Sequence, residues 1–207
     1  TTGYNNVSLG SLAGFNLVKG YNNILIGKEA GQVVDSSFEN VFVGHRSGFY
    51  ANGGSYQNTG IGALSLFNIT TGKNNVGLGY NAGGAITTGN NNLFIGNISG
   101  TTGQTATVDN SIAIGNGAAT TATNQVILGN SSITQTILRG NIGIGTTTTP
   151  NPLTVVGNAS ISGDLSVTNI NATEEINARN GNIQMGLDAT FSTPYMALGW
   201  GGRTNAS

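Results

Sequence analysis

Cysteine is absent from this 207-residue chain, and only 7% of the residues are charged. The lack of cysteine excludes disulfides and thiolate metal sites, so burial and hydrogen bonding must hold the fold together. The seven basic and eight acidic side chains are scattered without runs, and no basic patch for nucleic acid results. No stretch reaches the roughly 18 consecutive apolar residues of a membrane span. We therefore expect neither a nucleic-acid partner nor membrane insertion.

Turn-forming and strand-forming residues dominate what is present. The chain contains 34 glycines, 29 asparagines and 26 threonines, but only three prolines. Glycine and asparagine favour turns and threonine favours strands, while branched apolar residues recur throughout, unlike in a disordered chain. This composition indicates an all-β fold with many tight turns.

A short motif that ends in glycine recurs along residues 1–145. The motif glycines are Gly10, Gly27, Gly44, Gly62, Gly79, Gly96, Gly115, Gly129 and Gly145. Their spacing is nearly constant as far as Gly96 and becomes irregular after it. Such a period indicates a solenoid or array, and the alternating apolar residues before each glycine predict a short strand with one buried face.

Two further features keep the same period. A small residue followed by glycine comes three to four residues after the motif, which predicts a second tight corner. The glycines of these pairs are Gly14, Gly31, Gly48, Gly83 and Gly100. Aromatic residues lie six positions before four motif glycines, and we expect them to stack in a ladder across neighbouring repeats. They are Tyr4, Tyr21, Phe38 and Tyr56.

Single repeats bury too little to be stable alone. Three apolar side chains per repeat contribute less free energy than the ordering of the backbone of a whole repeat costs. Hydrogen bonds between coils and an apolar face shared between chains must supply the rest, so we expect both solenoid stacking and oligomerisation.

The motifs resemble two families of fibrous proteins. The run Asn74-Asn75-Val76-Gly77-Leu78-Gly79, with Thr87-Thr88-Gly89 after it, is similar to repeats of bacteriophage tail fibres. The run Asn110-Ser111-Ile112-Ala113-Ile114-Gly115 is similar to the β-roll head of trimeric autotransporter adhesins, whose repeat is shorter than the period of this chain. The resemblance implies an extracellular, elongated homotrimeric fibre of short-strand β-roll or β-helix repeats over residues 1–145.

The sequence changes character after residue 145. A threonine run leads to Pro150 and Pro152, and an alternating segment with turn signals follows, so residues 146–179 are interpreted as a connector and a thin β shaft. The alternating segment fits either short antiparallel strands or a fibre shaft. Residues 180–207 concentrate aromatic side chains and are interpreted as a small C-terminal β knob.

The knob contains the candidate receptor-binding residues, which are Phe191, Tyr195, Trp200 and Arg203. Aromatic rings stack on sugars and a guanidinium hydrogen-bonds them, so these residues suit a host surface glycan or protein. The alternative is that they form the core of the knob.

Catalysis is not indicated. His45 is the only histidine and is expected at an exposed corner, and Glu174 and Glu175 are adjacent, so in a strand they would face opposite ways. The Gly-x-Gly runs lack the strand-to-helix context of a dinucleotide site, and no metal or cofactor is expected. Ice binding is also not indicated, because paired threonines would point to opposite faces.

The resemblance also implies a function. A phage fibre of this kind attaches the virion to the host cell surface and joins upstream virion tail proteins, whereas an adhesin would serve on a bacterial surface. A tail-attachment domain or a secretion signal upstream would distinguish the two. Some such fibres carry a C-terminal chaperone that cuts itself off after a serine, and Ser207 matches that position. The alternative is that Ser207 is an arbitrary boundary.

Overall fold

The computed structural model describes residues 3–161, which form ten short strands and no helix. Within these residues, no helix long and apolar enough to cross a membrane is found. The strands are β1 Val7–Leu9, β2 Ile24–Ile26, β3 Val41–Val43, β4 Thr59–Ile61, β5 Val76–Leu78, β6 Leu93–Ile95, β7 Ile112–Ile114, β8 Val126–Leu128, β9 Ile142–Ile144 and β10 Leu153–Val155. The chain divides into two units, Thr1–Arg139 and Gly140–Ser207.

The first unit contains a parallel β-solenoid. Strands β1 to β8 form one sheet in chain order, and every neighbouring pair is parallel. The pairing is in register, so Ile24 lies opposite Val7 on one side and opposite Val41 on the other. Each repeat therefore supplies one coil, which confirms the all-β solenoid that the period predicted.

From β2 to β7, the middle residue of each strand faces the interior of its coil and is buried. Leu25, Phe42 and Phe94 are completely buried there. The fourth and fifth coils have Gly60 and Gly77 at this position, and a β-carbon added to Gly60 would lie 3.1 Å from a ring carbon of Phe42. Large and small residues thus compensate between neighbouring coils, which keeps the interior close-packed.

The motif glycines allow the coils to approach each other closely. Gly27 and Gly44 have φ values of 125° and 136°, a conformation that L side chains rarely adopt. A β-carbon on Gly27 would lie 2.6 Å from the carbonyl oxygen of Gly44 in the next coil. The glycine is therefore required both by its backbone conformation and by the lack of space.

A ladder of asparagines lies beside the motif strands, and all of its members after the first are buried. The members are Asn6, Asn23, Asn40, Asn58, Asn75 and Asn92, one from each of the first six coils. The Oδ1 of Asn58 accepts the backbone N–H and the Nδ2 of Asn75, at 3.0 and 3.1 Å. The Nδ2 of Asn58 donates to the Oδ1 of Asn40 and to the carbonyl of Gly72, at 3.0 and 2.9 Å. Both donors and both acceptor positions of this amide are satisfied inside the solenoid.

The residue before each ladder asparagine turns the chain at an exposed corner. Asn22, Asn74 and Asn91 stand there with φ of 56°, 57° and 58°, which is left-handed backbone. Asparagine tolerates this conformation better than most residues. The two residues of an Asn-Asn pair thus have different roles, because the first forms the corner and the second joins the ladder.

The described part of the second unit contains β9 and β10. Ile142 pairs with Leu153 and Ile144 with Val155, in parallel, so β10 forms the next rung on β9. This strand pair is therefore parallel. Both alternatives for the segment after Pro152, short antiparallel strands or a thin shaft, extend into residues 162–168, which lie outside the described range. The shaft and the knob remain predictions.

We expect Asn58→Ala to lower the free energy of unfolding by about 3 kcal/mol, because Asn40, Gly72 and Asn75 all lose hydrogen-bond partners in a buried site. Chemical denaturation measures the difference. The matched control is Asn97→Ala, which removes an exposed asparagine side chain. Equal stability losses in the two variants would contradict a structural role for the ladder.

Candidate interaction surface

The first and third residues of strands β1 to β8 face away from the coil interior, because side chains alternate along a strand and the middle residue points inward. They form two columns, which together are called the outer apolar face. The first column is Val7, Ile24, Val41, Thr59, Val76, Leu93, Ile112 and Val126. The second column is Leu9, Ile26, Val43, Ile61, Leu78, Ile95, Ile114 and Leu128.

The outer apolar face is uncharged, and Thr59 is its one polar residue. Many of its side chains are open to solvent, with 65% of Leu9, 45% of Ile61 and 50% of Leu128 exposed. With seven steps of about 4.8 Å between its eight strands, the face is about 34 Å long. Contiguous apolar surface of this extent is typical of an interaction site.

This surface differs from what the alternation of apolar residues predicted. The motif indicated a strand with one buried face, and the single chain instead leaves its alternating valines, leucines and isoleucines on the outside. The coil interior has no room for them, because the middle residues together with Val34, Ala51, Ile69 and Ile86 already fill it. Burial of the outer apolar face therefore requires residues from outside this solenoid.

The predicted aromatic ladder is confirmed. The rings of Tyr4, Tyr21, Phe38 and Tyr56 stack with centroids 5.1, 4.9 and 4.9 Å apart and planes within 9°. The next coil has Lys73 at this position, and its Nζ lies 4.7 Å from the centre of the Tyr56 ring. A cation–π contact thus ends the stack.

A second aromatic cluster, which was not predicted from the sequence, lies at another corner. Phe49 and Phe67 stack at 5.4 Å, and Tyr50 meets both rings edge-on, at 4.7 and 5.2 Å. The guanidinium of Arg46 lies 5.5 Å from the centre of the Phe49 ring. The signal was present, since Phe49 and Phe67 each come five residues after a motif glycine.

Arg46 also pairs with the carboxylate of Glu29 in the preceding coil, through a hydrogen bond from its Nε to Oε2. The Nζ of Lys28 lies 3.5 Å from the other oxygen, and the Glu29 side chain is only 9% exposed. The hydrogen bond from Arg46 lowers the pKa of the Glu29 carboxyl below its ordinary value, although burial acts in the opposite direction. His45 beside this pair is exposed, as predicted.

The candidate receptor-binding residues Phe191, Tyr195, Trp200 and Arg203 lie outside the described residues, as do Glu174, Glu175 and Ser207. Their assignments stay predictions. In residues 3–161, no group of three or more His, Asp or Glu side chains is placed to hold a metal ion.

Comparisons of the chain with protein-family models, with curated proteins and with solved structures find no match.

Arg46→Gln should raise the pKa of the Glu29 carboxyl, because the largest cause of its lowered value is the hydrogen bond from Arg46. A carboxyl with a lowered folded pKa contributes stability above its unfolded pKa and loses it as the pH falls through the folded value. As the pH falls through this range, the free energy of unfolding should therefore decrease less in Arg46→Gln than in the wild type. Carboxyl titration followed by NMR measures the pKa, with Lys28→Gln as the control of smaller effect. An unchanged Glu29 titration in Arg46→Gln would refute the assignment.

Proposed function

We propose that this chain is a structural and receptor-binding segment of a bacteriophage tail fibre, in which three copies assemble through the outer apolar face and attach the particle to a host cell surface. The observation that carries the proposal is the uncharged apolar face of eight strands on the outside of the solenoid. The resemblance of the repeats to those of phage tail fibres supplies the biological setting.

Another copy of the same chain suits this surface best. The rungs of two such faces have the same spacing, so their apolar rows match along the whole length of the sheet. Neither face carries a charged residue, so no ion is left buried without a partner. Closed three-fold symmetry would cover the face of every copy and leave no open apolar edge.

A bacterial surface adhesin is the second candidate, and one observation favours it. The motif that resembles the adhesin head ends at Gly115, and the step from there to Gly129 is shorter than the steps of the earlier repeats. Strands β7 and β8 still pair in register across this shorter coil. Both candidates use the same assembly, so the complete gene distinguishes them, by a tail-attachment domain in one case and a secretion signal in the other.

The assembly is tested by mass. Light scattering of the full chain should give three times the chain mass of 20.9 kDa. In the double variant Ile61→Asp and Leu78→Asp, each carboxylate would be buried without a partner at a cost of about 3 to 5 kcal/mol, so we expect monomers. The matched control, Asn97→Asp with Asn116→Asp, adds the same charges at exposed positions off the outer apolar face and should remain a trimer. A wild-type chain that is folded and monomeric would refute the proposal.

Receptor binding is tested separately with fluorescently labelled fibres on host cells. The predicted role of the knob means that Trp200→Ala combined with Arg203→Ala should abolish attachment while the mass stays that of a trimer. The comparison variant is Phe49→Ala with Tyr50→Ala, which disrupts the aromatic cluster on the solenoid. Attachment that survives the knob variant but not the comparison variant would move the receptor site to the solenoid.

A further inference from the structure

Repetition along the outer apolar face creates a problem of alignment between copies. Nearly every rung presents one branched apolar residue in each column, with the same spacing to the next rung. A copy that slides along its partner by one rung therefore meets almost the same surface and loses the contacts of one rung out of eight. Apolar packing alone distinguishes these alignments poorly.

Thr59 is the exception to this uniformity. It occupies the first position of β4, where its neighbours in the column are Val41 and Val76. Threonine has the shape of valine, so it packs in the same row and differs by one hydroxyl. Among residues 3–161, the hydroxyl of Thr59 makes no hydrogen bond, whereas those of Ser47, Ser65 and Ser99 on the inside all donate to backbone carbonyls.

We propose that Thr59 sets the axial alignment of the copies in the trimer; this inference rests on the proposed function. When three chains are aligned, the three Thr59 hydroxyls lie at one level, where each one donates to a neighbour. After a slip of one rung, a hydroxyl faces Val41 or Val76 of the partner and is buried without a hydrogen bond. Slipped trimers are therefore disfavoured, and the single polar residue selects one alignment.

The other irregularities of the solenoid do not offer this selection. The extra residue of the longer coil between Gly44 and Gly62 lies at Gly53 and Gly54, in the connection between β3 and β4, where a β-carbon added to either glycine would meet no other group within 4 Å. The glycines at the middle of β4 and β5 face the coil interior. Thr59 is the irregularity that lies on the outer apolar face.

Introduced cysteines report the alignment, because the chain has none of its own. Ile61 and Leu78 lie in the same column one rung apart. Full-length chains with Ile61→Cys and with Leu78→Cys are co-expressed, oxidised and analysed by mass spectrometry. Aligned trimers give disulfides between identical positions, whereas trimers slipped by one rung give mixed disulfides between positions 61 and 78, since a disulfide requires Cα atoms within about 7 Å.

With Thr59 present, we expect disulfides between identical positions. In the Thr59→Val background, the mixed disulfide should rise at least about tenfold while the mass stays that of a trimer. Thr59→Ser, which keeps the hydroxyl, should suppress the mixed disulfide again. Val76→Thr added to Thr59→Val should suppress the mixed disulfide as well, because the new hydroxyls again lie at a single height in the three chains, one rung away from position 59.

The outcomes separate the two proposals. A monomer by light scattering would overturn the proposed function and this inference with it. A trimer whose disulfides join identical positions equally well in the Thr59→Val background would leave the assembly standing and overturn the role of Thr59. Abundant mixed disulfides with Thr59 present would overturn it too.

Discussion

The solenoid depends on the hydrogen bonds between buried asparagine side chains of successive coils. Each ladder asparagine accepts the backbone N–H of the next one, at distances between 2.9 and 3.1 Å from Asn23 to Asn92. This contact helps to fix the height of each coil as far as Asn92 relative to the one before it, because a buried amide has no water as an alternative partner. The strands, the motif glycines and the aromatic ladder all repeat at this same distance from one coil to the next.

The ladder also explains why coils of different length fit one sheet. The interval from Gly96 to Gly115 is longer than those before it and the interval from Gly115 to Gly129 is shorter, yet β1 to β8 pair residue for residue. Extra or missing residues lie in the connections, away from the strand and its asparagine. Where the ladder ends, Ser111 takes the place of asparagine; its backbone N–H still donates to Asn92, and its hydroxyl accepts the N–H of Gln125. The hydrogen-bonding position beside the strand therefore continues past the last ladder asparagine, alongside the backbone hydrogen bonds that join the coils.

Much of this architecture could be predicted from the sequence, because each prediction depended on local chemistry with a strict period. The spacing of the motif glycines indicated the strands, the position of Tyr21 relative to Gly27 indicated the aromatic ladder, and the small pairs indicated corners such as Gly31 with φ of 54°. Which side chains of each strand point into the coil could not be predicted in this way. Alternation is the same whether Ile24 and Ile26 or Leu25 point inward, and only the fit between coils decides.

The candidate surface was harder to predict than the fold for the same reason. Phe42 beside Gly60 makes a compact interior only when both lie inside the coil, and that complementarity appears between residues of neighbouring repeats that are distant in the chain. Because the self-similar repeats were interpreted as structural units, the binding site was predicted where the repeats end, at Trp200 and Arg203. The aromatic cluster around Arg46 was therefore not predicted, and the expectation that an apolar face is shared between chains stays a prediction.

Repetition has opposite consequences within a chain and between chains. Within one chain, the covalent connection gives each coil a single following neighbour, so a repeated asparagine can bond only to the next asparagine and identical rungs cause no error. Between chains no such connection exists, and identical rungs make all alignments nearly equal in energy. A sequence that assembles through such a face, as we propose for this chain, must therefore keep its inner ladder uniform and place rare irregularities on the surface that meets its copies. The uninterrupted asparagines from Asn6 to Asn92 and the lone hydroxyl of Thr59 on the outer apolar face follow this division.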